Sequence, residues 1–415
     1  MTLPLDFDRL WSTIDRSAAI GTGRPGGLCR PTLSDADREM RDQFVHWCRE
    51  AGCTITIDRV GNIFARRAGV DDARPPVVMG SHLDTTLNGG RYDGILGVLA
   101  GLEILRTLHD HDVRTDAPLE VVSWTNEEGT RFAPPMLGAG AFAGVYDVDW
   151  VHARTDDDGV RFGEALARIG YAGEAPVGGR ALDAYFELHI EQGPELDAAG
   201  IDVGIVTRGY TVRGGIFEAR GETAHTGPCP MDERRNTLVG ASMLAVKVND
   251  IGWAHHGTRG KSTVSRIVAW PNRPGILSDW AQITCDVRHE DRDTALGMWA
   301  EVQAAVPACA RDARVEIALV DQWSFGDERF DEGCLDLLRQ AARGLGVPAR
   351  EMASQAGHDA YHLATVAPTA LIFAPCLGGI THNHREEIDR TRAEASVRVL
   401  LGAVLARANR PLSER

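Results

Sequence analysis

Four short apolar runs in this chain each lead into a histidine or an acidic residue. Val77-Val-Met-Gly runs into His82, and Glu120-Val-Val-Ser-Trp-Thr into Glu127-Glu128. Tyr185-Phe-Glu-Leu carries His189, and Thr369-Ala-Leu-Ile-Phe precedes the Gly378-Gly-Ile-Thr-His382 loop. The Val77 run is apolar on both faces, as a central strand covered on each side should be. Between them, Leu96, Leu99, Leu102 and Leu105 recur at helical spacing and predict a helix over 94–108. An earlier helix is predicted over 34–52, with Ser34 as N-cap, Asp37 three places on, and Phe44, Val45 and Trp47 as apolar positions. Thr54–Asp58 and Gly61–Arg66 read as short strands broken by turn residues.

The middle of the chain changes character. From about 210 to 323 the pattern predicts a strand (Thr211–Arg220), a helix (Asp232–Val248), two strands (Ser262–Trp270, Ala281–Val287), a helix (Asp291–Arg311) and a strand (Ala313–Val320). That βαββαβ order describes a compact two-layer unit with its own core. Gly204, Gly209 and Gly326 are suitable hinge positions. The expected fold is therefore α/β: a larger domain over 1–209 and 325–415, with a mixed, mainly parallel central sheet, and a smaller domain inserted over 210–324. A length of 415 residues agrees with two domains.

Composition narrows the partners. A formal net charge of −15 argues against nucleic acid or an anionic membrane surface. No apolar run approaches a membrane span, and the N-terminal residues have neither the basic start nor the apolar core of a signal peptide. Eight scattered cysteines without a Cys-x-x-Cys pair suggest reduced thiols in a cytoplasmic protein.

The chemistry lies at the ends of the apolar runs. Gly-Ser-His82-Leu-Asp84-Thr, Tyr-Asp93-Gly, Asn-Glu127-Glu128-Gly, Glu-Leu-His189 and Thr-His382-Asn together supply imidazoles and carboxylates suited to two divalent ions sharing one carboxylate. Zn2+ is the first expectation, with Mn2+, Co2+ or Ni2+ as alternatives. A lone histidine after a strand is usually a satisfied polar group; the ordered set is what favours ligation. By contrast, His255-His256 reads as solvated surface, Asp156-Asp157-Asp158 as a solvated loop, and Trp270 and Trp280 as core or interface of the small domain.

These segments resemble the N-carbamoyl-amino-acid amidohydrolases and their siblings, β-ureidopropionase and allantoate amidohydrolase, within the dinuclear-metal aminoacylase and carboxypeptidase superfamily. Matching stretches include Glu-Leu-His189-Ile-Glu-Gln192-Gly-Pro, Ala-His225-Thr-Gly, Asp-Val-Arg288-His, Ala-Gly-His358-Asp-Ala and Gly-Gly-Ile-Thr-His382-Asn, in family order from residue 23 to about 387. The resemblance implies that Asp93 bridges the ions, with His82 and His189 completing one site and Glu128 and His382 the other. Asp84 would hold the second ring nitrogen of His82, and His384, where relatives usually have proline, would be a neighbour rather than a ligand. It further implies Glu127 as general base toward a water polarised by the ions, and Gln192, Arg288 and His358 as contacts to a small substrate carrying a carboxylate. The smaller domain would be a lid and dimerisation domain, its His225 serving the partner subunit's site in a homodimer.

Two departures concern the substrate. Gly275 stands where relatives carry an asparagine that helps bind substrate, and Gln355 replaces a small residue near the expected carboxylate position. The implied reaction is hydrolysis of an N-carbamoyl or ureido acid to amine, CO2 and ammonia. An aminoacylase or dipeptidase acting on an ordinary amide is the nearer alternative, and a non-catalytic metal-binding sensor the more distant one.

Overall fold

The computed structural model describes residues 3–411; Met1, Thr2 and the last four residues of the range expected for the larger domain lie outside the described residues. The chain divides into two compact units, Met1–Arg208 with Glu328–Arg415, and Gly209–Asp327. Its strands, in chain order, are β1 (Thr54–Ile57), β2 (Ile63–Arg67), β3 (Val77–His82), β4 (Leu119–Trp124), β5 (Ala184–Ile190), β6 (Val203–Gly209), β7 (Thr211–Arg220), β8 (Lys261–Trp270), β9 (Trp280–His289), β10 (Glu316–Phe325), β11 (Ala349–Ser354) and β12 (Thr369–Ala374).

In the first unit eight strands form a mixed sheet in the order β1-β2-β4-β3-β5-β12-β6-β11. The four central strands, β4, β3, β5 and β12, are mutually parallel, and antiparallel partners flank them: β2 beside β4, and β6 beside β12. Every residue of these four strands is buried, which is why their sequences read as continuous apolar runs rather than alternating ones. The helix Ile95–Asp110, buried from Ile95 to Leu108, packs on β3, β4 and β5. The helix Arg390–Ala408 packs on β5 and β12. Because the four strands run the same way, their carboxyl ends meet along one edge of the sheet, where open α/β sheets place their functional groups.

A buried ion pair ties the second helix to that edge. Arg41, on the helix Asp35–Glu50, donates from Nε to Asp37 at 2.8 Å, and both side chains are shut off from solvent. Its other nitrogens reach the carbonyl of Gly61 (2.7 Å) and the hydroxyl of Thr125 (3.2 Å), just past the end of β4. One guanidinium thus links a helix, the β1–β2 connection and the segment leading to Glu127.

The second unit, described by itself, is an antiparallel sheet in the order β10-β7-β9-β8 with the helices Thr237–Ala254 and Arg292–Ala313 packed on it. Phe217, Leu244, Val248, Ile283, Met298, Trp299 and Val302 form its core. Several boundaries differ from the sequence reading, among them the end of the first helix, at Ala254 rather than Val248, and the end of β10, at Phe325 rather than Val320. The first helix begins at Thr237, not Asp232, because the Asn236 side chain caps it by accepting from Leu238 N–H. β10 starts at Glu316 rather than Ala313, because the preceding helix runs to Ala313 and ends on Arg314 in a left-handed conformation. The eight cysteines are unpaired. No helix among the described residues is long and apolar enough to cross a membrane.

Replacing Arg41 by alanine would leave Asp37 buried without its cation. The expected cost is about 3–5 kcal/mol of unfolding free energy, measurable by urea denaturation; a loss below about 1 kcal/mol, the range of a surface pair, would show that the pair is dispensable.

Candidate metal centre

β3 ends on His82, and the chain then turns through Leu83 and Asp84. His82 Nδ1 lies 2.9 Å from the main-chain carbonyl of Asp84, while the Asp84 carboxylate is 3.9 Å away. The Asp84 carbonyl is thus the nearer of its two groups to the second ring nitrogen of His82. The carboxylate turns the other way and accepts from the backbone N–H groups of Glu127 and Glu128, each at 3.3 Å. Asp84 therefore joins the exit of β3 to the exit of β4.

The Glu127-Glu128 segment is held from both sides. Asn126, in the left-handed region at φ 63°, donates its side-chain amide to the carbonyls of Phe132 and Pro134, and Met136 N–H donates to the carbonyl of Glu127. Next door on β5, His189 Nδ1 sits 2.9 Å from the carbonyl of Ile190. With Nδ1 of His82 and of His189 both donating to main-chain carbonyls in the neutral rings, each ring turns its Nε2 lone pair toward the site, and that of His189 also accepts from Gly94 N–H at 3.2 Å.

Those lone pairs converge on Asp93. His82, Asp93 and His189 place one ligand atom each within 4.8 Å of one another, and Asp93, Glu128 and His382 do the same. Asp93 belongs to both groups. His189 Nε2 is 3.2 Å from one of its oxygens and His382 Nε2 3.2 Å from the other. Glu127 reaches the same space, 3.4 Å from His82 Nε2. The donor set fits two divalent ions on a further observation: His82 Nε2 and Glu128 Oε1 are buried yet make no hydrogen bond. Buried polar atoms of this kind are rare without a partner. A third group, Glu187, His189 and His358, fits less well, because both Glu187 oxygens already accept from Ser81, Tyr185 and Ala360.

Electrostatics follow from this crowding. Burial, followed by neighbouring Asp37, pushes Asp84 up to about 7, and burial pushes Glu128 up to about 8 against the pull of His382. Glu127 is raised by burial and then by Asp359, Glu128, Asp93 and Asp84. Asp93 goes the opposite way: burial opposes its charge, but hydrogen bonds from His189 and His382 hold it well below the usual carboxylate range. Burial likewise disfavours charge on His189 and His382, yet Asp93 lifts the first to about 9, and Glu128 with Asp93 lifts the second to about 10. His382 is half-exposed, so solvent screens part of its gain.

Other residues singled out in the sequence occupy varied settings. Gln192 donates to Asp93 at 3.0 Å and lies 3.2 Å from His382 Nε2. His358 is buried with its ring 4.5 Å from that of His189, and its Nε2 meets Ser354 Oγ at 3.1 Å. Gln355 pairs with Glu195 at 3.1 Å. His384 contacts Asn88, consistent with a neighbour. Within the second unit, exposed His225 accepts at Nδ1 from Gly227 N–H, which leaves Nε2 as its donor in the neutral form. Gly275, at φ +87°, serves this loop through its backbone: its carbonyl accepts from Thr226 N–H at 3.1 Å, and Leu277 N–H reaches Ala224 at 2.9 Å. Arg288 is held bidentately by Asp286 on the same strand, at 3.0 and 3.3 Å. Asp156 proves less solvated than expected, because Arg131 pairs with it at 3.0 Å. Two residues went unnoticed in the sequence: Thr381 and Glu386, which contact the Asp93 segment. Their only signal is proximity to His382.

Fold and donor set together define the class, an open α/β protein with a candidate two-centre metal site at its strand ends. The chain belongs to peptidase family M20/M25/M40, whose sequence model matches residues 78–406. It is 41% identical to an N-carbamoyl-L-amino-acid amidohydrolase of Rhizobium meliloti over 402 residues, covering 97% of this chain and 96% of that one. It is 30% identical to the allantoate amidohydrolase of Bacillus subtilis, covering 93% and 94%. Among solved structures, an amidase of the hydantoinase/carbamoylase family from Burkholderia vietnamiensis superposes with a TM-score of 0.97 at 45% identity, over 99% of each chain.

Removing divalent ions should make stability depend on pH in a stated direction. Asp84, Glu128, His189 and His382 have raised folded values, so above about pH 7 the folded, ion-free protein holds more protons than the unfolded chain and loses stability as pH rises. His82, lowered to about 4 by burial, acts oppositely, but only below about pH 6.5. The increase in Tm on adding Zn2+ or Mn2+ to chelator-treated protein should therefore be larger at about pH 9 than at about pH 7. An increase that shrinks over that interval would contradict the assignment.

Proposed function

We propose that this protein is a metal-dependent amidohydrolase that cleaves the C–N bond of an N-carbamoyl or related ureido acid. The observation that carries the reading is Asp93, shared between two clusters of imidazole and carboxylate donors with Glu127 beside them. The amidohydrolase names of the similar proteins, at nearly full length, support the same chemistry. His82, Asp93 and His189 would hold one ion, and Asp93, Glu128 and His382 the other. The ions supply Lewis acidity toward the ureido carbonyl and lower the pKa of water.

The remaining work falls to side chains. Glu127 takes the proton of the attacking water and delivers it to the departing amino nitrogen, acting first as base and then as acid. The carbamate left behind breaks down to CO2 and ammonia. His225, with Nε2 as donor, would stabilise the oxyanion of the tetrahedral intermediate from the partner subunit of a homodimer. An exposed apolar row on the helix Thr237–Ala254, comprising Val239, Met243 and Val246, supports the dimer reading. Arg288 would bind the substrate carboxylate through its planar guanidinium, with Gln192 and His358 completing the contacts.

Substrate choice departs from plain N-carbamoyl amino acids in this reading. Gly275 has no side chain to offer, and a Cβ there would meet open space. Gln355 spends an amide donor on Glu195. We assign the difference to the acid end or side chain of the substrate, where a missing hydrogen-bond partner discriminates most.

Metal-reconstituted protein should release ammonia from at least one member of a panel of N-carbamoyl and ureido acids, and less efficiently from N-carbamoyl-alanine or N-carbamoyl-β-alanine than from the best member. Free amine from matched N-acetyl compounds without ammonia would place the protein with aminoacylases instead. Glu127→Gln should cut turnover by about 10²–10⁴-fold, the usual worth of a positioned acid–base group, while metal content by elemental analysis stays unchanged. Undiminished turnover would remove Glu127 from the mechanism.

A further inference from the structure

We propose that Glu386 is the positioning residue that locks the Asp93 segment to the His382 loop, and so sets the spacing on which paired metal binding depends. The proposal rests on the two-metal reading above. Glu386 is 3% exposed, and both oxygens of its carboxylate accept hydrogen bonds. Oε1 accepts from two successive backbone N–H groups, Tyr92 at 3.0 Å and Asp93 at 3.1 Å. Oε2 accepts from the Thr381 hydroxyl at 3.0 Å, and that hydroxyl lies 3.3 Å from Asp93 Oδ2. One carboxylate therefore grips the backbone of the residue common to both donor groups and the side chain next to His382.

The surroundings are built for this grip. A Cβ on Gly90 would fall 2.2 Å from the Glu386 carboxyl, so only a bare backbone allows the approach. Tyr92 Oη donates to Glu387 at 2.8 Å, adding a second tie between the same two segments. The turn bringing Glu386 back is closed by its own N–H to the Asn383 carbonyl at 3.0 Å. Asp93 and His382 come from distant parts of the chain, and besides Gln192, which lies 3.0 Å from Asp93 and 3.2 Å from His382 Nε2, the Glu386 carboxylate is the group that joins the Asp93 backbone to the His382 loop. Without the carboxylate, two buried N–H groups lose their acceptor and the His382 loop its anchor.

The test is metal affinity rather than activity. Chelator-stripped wild type, Glu386→Ala, Glu386→Gln and Thr381→Val would be titrated with Zn2+ against a chromophoric competitor, with Tm of the ion-free proteins recorded alongside. Wild type should take up two ions. Glu386→Ala should weaken the weaker site by about 10–100-fold, the range for groups that orient metal ligands. Glu386→Gln keeps an oxygen for the two N–H groups and should restore most of that loss. Thr381→Val, which leaves those N–H groups satisfied, should weaken the same site by a smaller factor and serves if the alanine variant does not fold. Lowered Tm with two sites of wild-type affinity in Glu386→Ala, or in Thr381→Val where the alanine variant does not fold, would reduce Glu386 to a structural role and overturn the proposal. A wild type that binds no pair of ions would instead overturn the two-metal reading, and this proposal with it.

Discussion

Too much negative charge in too little water is the constraint around which the first unit is arranged. Asp84, Asp93, Glu127 and Glu128 have their side chains withdrawn from solvent within one small space, and the partners of Asp93 include the imidazoles of His189 and His382, the Gln192 amide and the Thr381 hydroxyl. Burying a carboxylate is costly unless something positive or strongly hydrogen-bonding meets it. The sheet provides partial answers: backbone N–H groups for Asp84, and the imidazoles of His189 and His382 for Asp93. It leaves the rest to be answered by cations.

Much of this was legible in the chain itself, for a physical reason. Parallel strands covered on both faces must be apolar along their whole length, so β3, β4, β5 and β12 stand out, and a polar residue at the end of such a run marks the functional edge. The sheet's antiparallel margins were harder. β11, Ala-Arg-Glu-Met-Ala-Ser, carries no comparable run: its first three residues are exposed, and it sits at the sheet edge beside β6. Helix ends were misplaced where a local cap decided them, at Asn236 and Arg314, since capping is a contest among adjacent residues that periodicity does not see.

Within the site, the side chains proposed as ligands were named by their motifs, whereas the groups that orient them were not. Asp84 illustrates the difficulty: the motif suggests a carboxylate facing His82, but the main-chain carbonyl lies nearer, at 2.9 Å against 3.9 Å, and a backbone group leaves no mark in the motif. Glu386 illustrates another. Two of its three carboxylate partners lie almost three hundred residues away and are backbone groups, which leave no trace of identity in a sequence.

The hydrogen bonds from His82 and His189 to the carbonyls of Asp84 and Ile190 carry a consequence for how such a protein can change. A carbonyl is the one acceptor that substitution does not delete. The tautomers of two histidines are therefore written into the course of the main chain, and drift at positions 84 and 190 alters them only if it bends the strand exits. Selectivity, on the function proposed above, would instead rest on side chains and on a glycine loop in the second unit, all open to single replacements. On that proposal the molecule separates a durable reaction centre from an adjustable choice of what enters it.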